Sequence, residues 1–191
     1  MKKINLLSTT LFFIFCSAFT EIQTKPATGK GLYLTIDDFK NHHLSYETND
    51  KIILNELFAT SYLKVVVNGE TKTFSKKQVF GYRDSNNEDY RFFKNELYNI
   101  ILSEPFFVYK HDATTTADAN KGNVRKTFYY FSLNGSDELI PLTIANLKKS
   151  FPENLKFHDL LDGIRNESDL VSYDDYRKEL KVAYLYKKSL Q

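Results

Sequence analysis

Tryptophan is absent from this 191-residue chain, and cysteine and methionine occur once each. One cysteine closes no internal disulfide and builds no cysteine-rich zinc site. A surplus of one charge is also missing: 26 Lys and Arg stand against 24 Asp and Glu, a formal net charge of +2. That is too small to mark a nucleic-acid binder without a clustered patch, so no nucleic acid is expected as partner. The chain carries no Gly-x-Ser-x-Gly elbow, no phosphate-binding loop and no dinucleotide fingerprint. No cofactor is therefore expected, and no repeat of fixed period is visible. What is present is aromatic: 13 Tyr and 16 Phe, in a chain that is 42% hydrophobic. That is enough apolar matter to fold, and the length fits one domain.

The N-terminus reads as an address. Lys2 and Lys3 precede a mostly apolar run from Ile4 to Phe15, followed by the small residues Cys16, Ser17 and Ala18. Charge, apolar run and small residues in that order form a secretory signal, with cleavage expected after Ala18. The run is short and interrupted by Ser8, Thr9 and Thr10, which disfavours the alternative of a retained membrane anchor. Phe13, Ile14 and Phe15 before Cys16 fit a lipoprotein acylation site poorly, so Cys16 is expected to leave with the signal. Lys2 and Lys3 are the only charged residues among the first 18, so the mature chain would hold 24 of each sign and no cysteine. No later stretch is long and apolar enough for a further span.

Residues 19–30 are polar and read as a leader into a single domain over 31–191. Gly31 to Leu34 looks extended. Thr35 with Asp38 forms a capping box, which predicts a short helix from Ile36 to about Asn41 with Ile36 and Phe39 inward. Leu44 to Leu142 reads as strands organised by turns. Asn68-Gly69 predicts a two-residue hairpin pairing Val67 with Glu70, Val65 with Lys72 and Leu63 with Phe74, so that Leu63, Val65, Val67 and Phe74 share the core face. Ser85 to Glu88 reads as a four-residue loop pairing Asp84 with Asp89, Arg83 with Tyr90, Tyr82 with Arg91 and Gly81 with Phe92. Each arginine would then face a tyrosine across the strands, at the expense of two opposed aspartates. Asn134-Gly135 marks a third turn, between Phe128–Phe131 and Leu139-Ile140. Asp112 to Asn123 holds little apolar surface and reads as a mobile hairpin tip.

Beyond Leu142 the period becomes helical. Thr143 should cap a helix carrying Ile144, Leu147 and Lys148 and ending near Phe151, ahead of Pro152. Leu155 to Leu161 reads as a second helix, stopped by Gly163. Ser172 with Asp175 reads as a further capping box, opening a helix through Tyr176, Leu180, Ala183, Tyr184 and Lys187. Strands first and helices mainly at the C-terminus argue an α+β fold with an antiparallel, curved sheet; a small barrel flanked by helices is the alternative.

Catalytic signals are sparse. His158 and Asp162 stand four apart on the Leu155–Leu161 helix, which makes His158 a weak candidate for a general base oriented by a carboxylate. The plainer reading is a half-buried histidine opposite Phe157 and Leu161, since no nucleophile motif accompanies it. His42 and His43 follow Asp37 and Asp38, but their spacing matches no zinc motif and a helix C-terminus favours histidine by itself, so no metal is expected. Lys72, Lys76 and Lys77 make a local basic patch, most simply a solvated face. Tyr82, Arg83, Tyr90 and Arg91 are weak candidates for a binding surface. The many aromatics are compatible with a glycan platform, although the lack of tryptophan counts against it.

Three stretches carry a resemblance. They are Gly31-Leu32-Tyr33-Leu34-Thr35 with Asp38-Phe39; Phe80-Gly81-Tyr82-Arg83-Asp84 with Asp89-Tyr90-Arg91-Phe92-Phe93; and Leu142-Thr143-Ile144, through Asn146-Leu147-Lys148, to Phe151-Pro152 and Phe157-His158-Asp159-Leu160-Leu161. Bracketing residues 31–161, they make the chain resemble a group of small exported proteins of Bacteroidota whose function is unknown. The resemblance implies a compartment, periplasmic or extracellular, and no site residue. The expectation is a non-catalytic envelope protein that binds a protein partner or envelope component, with an envelope hydrolase using His158 as the alternative.

Overall fold

The computed structural model describes residues 29–54, 60–116 and 123–191; the expected signal and most of the polar leader lie outside them. Eight antiparallel strands form the main sheet. They are β1 (Lys30–Tyr33), β2 (Tyr46–Thr48), β6 (Gly81–Arg83), β7 (Asp89–Phe93), β8 (Glu96–Leu102), β9 (Phe107–Thr116), β10 (Asn123–Ser132) and β11 (Ile140–Pro141), in the order β11-β10-β9-β8-β7-β6-β1-β2. The two edges are short strands, which limits pairing with other chains. A second sheet joins β3 (Ile52–Ile53), β4 (Tyr62–Val67) and β5 (Glu70–Ser75), and a small hairpin joins β12 (Tyr173–Asp174) to β13 (Glu179–Leu180). The helices are α1 (Ile36–Lys40), α2 (Ile144–Ser150), α3 (Leu155–Asp162) and α4 (Lys181–Ser189). This is the α+β architecture with antiparallel sheets and C-terminal helices; the sheets do not close into a barrel.

Local chemistry accounts for the helix starts. The Thr35 hydroxyl accepts from the Asp38 amide and the Asp38 carboxylate accepts from the Thr35 amide, so both halves of the capping box are made. Thr143 caps α2 by accepting from the Asn146 amide, and Asn154 caps α3 by accepting from the Phe157 amide. The Asn68-Gly69 hairpin has the expected register, with Leu63 opposite Phe74 and Val67 opposite Glu70. Asn68 and Gly69 both take positive φ, as a type I′ turn demands.

Two expectations fail for identifiable reasons. The first concerns β6 and β7, which are offset by one residue: Gly81 faces Arg91, Tyr82 faces Tyr90 and Arg83 faces Asp89. The connection is five residues, and the Asp84 carboxylate organises it by accepting from the Asn86 and Glu88 amides. This register replaces the two opposed aspartates by an Arg83–Asp89 ion pair. It also brings the Tyr90 carbonyl to 1.9 Å from where a Cβ on Gly81 would stand, so only glycine fits there. The second failure is the expected helix after Ser172. The Asp174 carboxylate accepts from the Tyr176 and Arg177 amides, and Lys178 takes a φ of 57°, which closes the β12–β13 hairpin. Helix α4 starts only at Lys181, and Tyr176 is 92% exposed rather than packed inward. The polar stretch from Asp112 is also more regular than expected. β9 continues through Thr116 and pairs with β10 as far as Asn123, while residues 117–122 lie outside the described residues.

Strand alternation divides the core. On one face, Leu32, Tyr82 and Phe92 pack beneath Leu63 and Val65 of the second sheet. Val108 and Phe131 pack with Leu147, Phe157, Leu161 and Leu185 of the C-terminal helices. The Tyr33, Tyr98, Phe107 and Tyr109 side chains form a third cluster with Phe39 of α1.

Candidate functional site

A cleft of about 580 Å³ opens on the main sheet, lined from β6 through β10 with Leu54 and Lys76 at one side. The pairing register puts Tyr82, Tyr90, Asn99 and Lys110 in one row across four strands. Tyr82 and Tyr90 are stacked with ring centroids 5.0 Å apart, and Phe92 stacks on Tyr82 at 5.9 Å. Tyr82 and Phe92 are buried and Tyr90 is half-buried, so Tyr90 is the ring of this stack that meets the cleft most openly.

The polar wall is already bonded. The Tyr90 hydroxyl donates to Glu88 Oε2 at 2.7 Å, and Asn99 Nδ2 donates to the same oxygen at 3.5 Å. Burial, then the bond to Glu88, pushes the Tyr90 hydroxyl well above its ordinary pKa, so it stays a donor. Thr127 donates to the Asp112 carboxylate at 2.6 Å, with Lys110 and Arg125 3.7 and 3.5 Å away. The Thr127 bond, aided by those two cations, holds Asp112 below the usual carboxylate range. His111 Nδ1 donates to the Leu97 carbonyl at 2.9 Å, its ring stacks on Tyr98, and Nε2 lies 3.6 Å from Glu96. A carbonyl only accepts, so the proton sits on Nδ1. Asn95 adds an acceptor: its Oδ1 is buried with no hydrogen-bond partner among the described residues. Three cations and three carboxylates line the cleft, which gives both signs of charge and both senses of hydrogen bond around one aromatic ring.

The candidates expected from sequence are split apart. Tyr82 and Tyr90 reach the cleft, whereas Arg83 and Arg91 project from the other face, because neighbours on a strand point oppositely. Arg83 binds Asp89 through two bonds, at 2.8 and 2.7 Å, and Asp89 also accepts from the Tyr33 hydroxyl at 3.0 Å. The arginine–tyrosine cross-strand pairs expected of these four residues are therefore replaced by tyrosine on tyrosine and arginine on aspartate. Arg91 runs under the sheet to the Tyr109 hydroxyl.

His158 lines neither this cleft nor a smaller hollow at the end of β6. Its Nε2 donates to the Phe151 carbonyl at 2.9 Å, joining α3 to the end of α2, and Asp162 pairs with Lys148. His43 lies 3.2 Å from Asp38, and His42 takes a φ of 51° just past α1. Among the described residues no group of three or more His, Cys, Asp or Glu is placed to hold a metal ion, and no helix is long and apolar enough to cross a membrane. The basic patch does not survive as a patch. Lys76 is 4% exposed, and Lys72 lies over the Tyr46 ring.

Glu88, Asn99, Lys110, Asp112 and Arg125 escaped the sequence reading. One signal for them exists: Lys110, Asp112 and Thr114 recur every second residue, which marks one polar face of a strand. Against protein-family models, curated proteins and solved structures, the chain has no match.

Proposed function

We propose that the chain is an exported, non-catalytic binding domain of the cell envelope and that its ligand lies in the cleft over Tyr90. The observation that carries this reading is the state of the cleft's polar groups. Glu88, Asp112 and His111 are each held by a neighbour, which suits a wall that orients a ligand better than a reactive acid or base. The aromatic face of Tyr90 together with donors and acceptors of both charges fits a ligand with an apolar face and a polar edge, such as a sugar or a peptide. The hydrolase alternative loses support, because His158 is spent on a helix–helix contact outside the cleft.

The test is affinity capture from the cell envelope with the mature chain, run beside Tyr90→Ala and Lys110→Glu. The second substitution alters the rim and leaves the aromatic stack in place. One stoichiometric species recovered by the native chain, and reduced about tenfold or more by either variant, supports the reading. Equal recovery by all three chains, or none by any, counts against it.

Export is supported by Lys2 and Lys3, the apolar run to Phe15 and the small residues to Ala18. The expected result of N-terminal sequencing on protein isolated from the envelope or medium is a chain starting at Phe19. A chain that keeps Met1 and sediments with membranes means the segment is an anchor.

A further inference from the structure

A second hollow, of about 250 Å³, lies where β1 leaves the sheet and β6 enters it. Its polar lining includes Lys77, Gln78, Arg91 and Ser136, and none of its lining residues is acidic. Arg91 is 5% exposed. Its Nη1 donates to the Tyr109 hydroxyl at 3.1 Å and its Nη2 to the Asp137 main-chain carbonyl at 2.8 Å. The Phe93 and Tyr109 rings lie 5.2 and 5.5 Å from the guanidinium carbon. Both bonded groups, a hydroxyl and a main-chain carbonyl, are uncharged; the Asp137 carboxylate is near enough to act on the Tyr109 hydroxyl but makes no ion pair with Arg91. Among the described residues, Arg83, Arg125 and Arg177 form ion pairs and Arg91 and Arg165 do not; of these two, Arg165 is exposed and Arg91 is buried.

A buried guanidinium ordinarily has an anion beside it, because removing its charge from water is costly. Arg91 has five N–H donors and uses two of them on the partners named. With aromatic rings near it, its open donors lie along the edge of the planar group, the edge that binds a carboxylate or phosphate through two parallel bonds. Lys77 is exposed and lines the same hollow, so it brings a second positive charge to the mouth. The hollow has room for an oxyanion and a few atoms of whatever carries it.

We propose that this hollow binds a small oxyanion, a carboxylate or phosphate group, held by the edge of Arg91 with Lys77 completing the charge. The site is separate from the cleft over Tyr90 and stands or falls without it.

The experiment is an amide-resonance titration of the mature chain with inorganic phosphate and, separately, with acetate, at constant ionic strength. The expected result is saturable shifts centred on residues 77, 91 and 136 for at least one of the two anions. The better-bound anion tells which oxyanion the site takes. Lys77→Gln, an exposed change that leaves the fold alone, should weaken binding about threefold. Arg91→Lys, which keeps the charge and loses the fork, should weaken it by about tenfold or more. Linear, unsaturated shifts for both anions up to about 50 mM overturn the proposal. So does binding that Lys77→Gln leaves unchanged, and this second variant decides the matter even if Arg91→Lys does not fold.

Discussion

Asp89→Ala is expected to destabilise the protein by about 3 kcal/mol, the low end of what breaking a buried ion pair costs. The low end applies because the Arg83 and Asp89 side chains keep 11% and 16% of their exposure. The substitution removes both carboxylate bonds from Arg83 and the acceptor of the Tyr33 hydroxyl, so three bonds are lost at once. Those bonds lie where β1, β6 and β7 meet and hold the observed register. Urea unfolding should show a lower midpoint with little change in slope. A chain of this size should lose about 6–12 °C in Tm. Asp89→Asn keeps an oxygen for one donor and should fall between the two. A loss well under about 1 kcal/mol for Asp89→Ala means that the pair is as exposed in solution as an ordinary surface bridge.

Phe157→Ala should cost about 4 kcal/mol, from lost burial plus the cavity left behind. Phe157 is fully buried and meets Phe151 and Tyr186 edge to face, at 5.6 and 5.4 Å between ring centroids. Phe106 touches the same two rings, which ties α3 and α4 to the main sheet through one aromatic group. Hydrogen exchange should therefore speed up first in α3 and α4, ahead of β6 and β7. Uniform acceleration across both regions, or a cost near that of a surface change, would falsify the claim that this cluster docks the helices.

The positions of these two residues differ in how well sequence foretold them. Phe157 sits on a helix whose boundaries follow from nearby residues, and its inward direction follows from Leu161 four residues on. Asp89 sits on a strand whose register differs by one residue from the one its turn residues suggest. A one-residue slip sends every side chain to the opposite face of its neighbour's row. Alternation divides Tyr82, Arg83, Tyr90 and Arg91 between two faces in either register; the slip decides the partners, putting the two tyrosines together at the cleft, one arginine in an ion pair and one under the sheet. The turn at Ser172 fails similarly: Ser172 and Asp175 have the spacing of a helix cap, and Asp174 between them closes a hairpin first.

By itself the sequence determined the parts whose physics is local. The Thr35 and Thr143 caps, the Asn68-Gly69 hairpin and its register, and the strands-then-helices order all depend on partners a few residues apart, so residue type and spacing suffice. Only the tertiary structure decided that β1 lies between β2 and β6, that Arg83 meets Asp89, and that Tyr90, Asn99, Lys110 and Asp112 share one wall. The first joins strands far apart in the chain; the others join consecutive strands, where one residue more or less in a turn changes the register. Their registers are nearly equal by local propensity, and the difference lies in which side chains come to rest against one another.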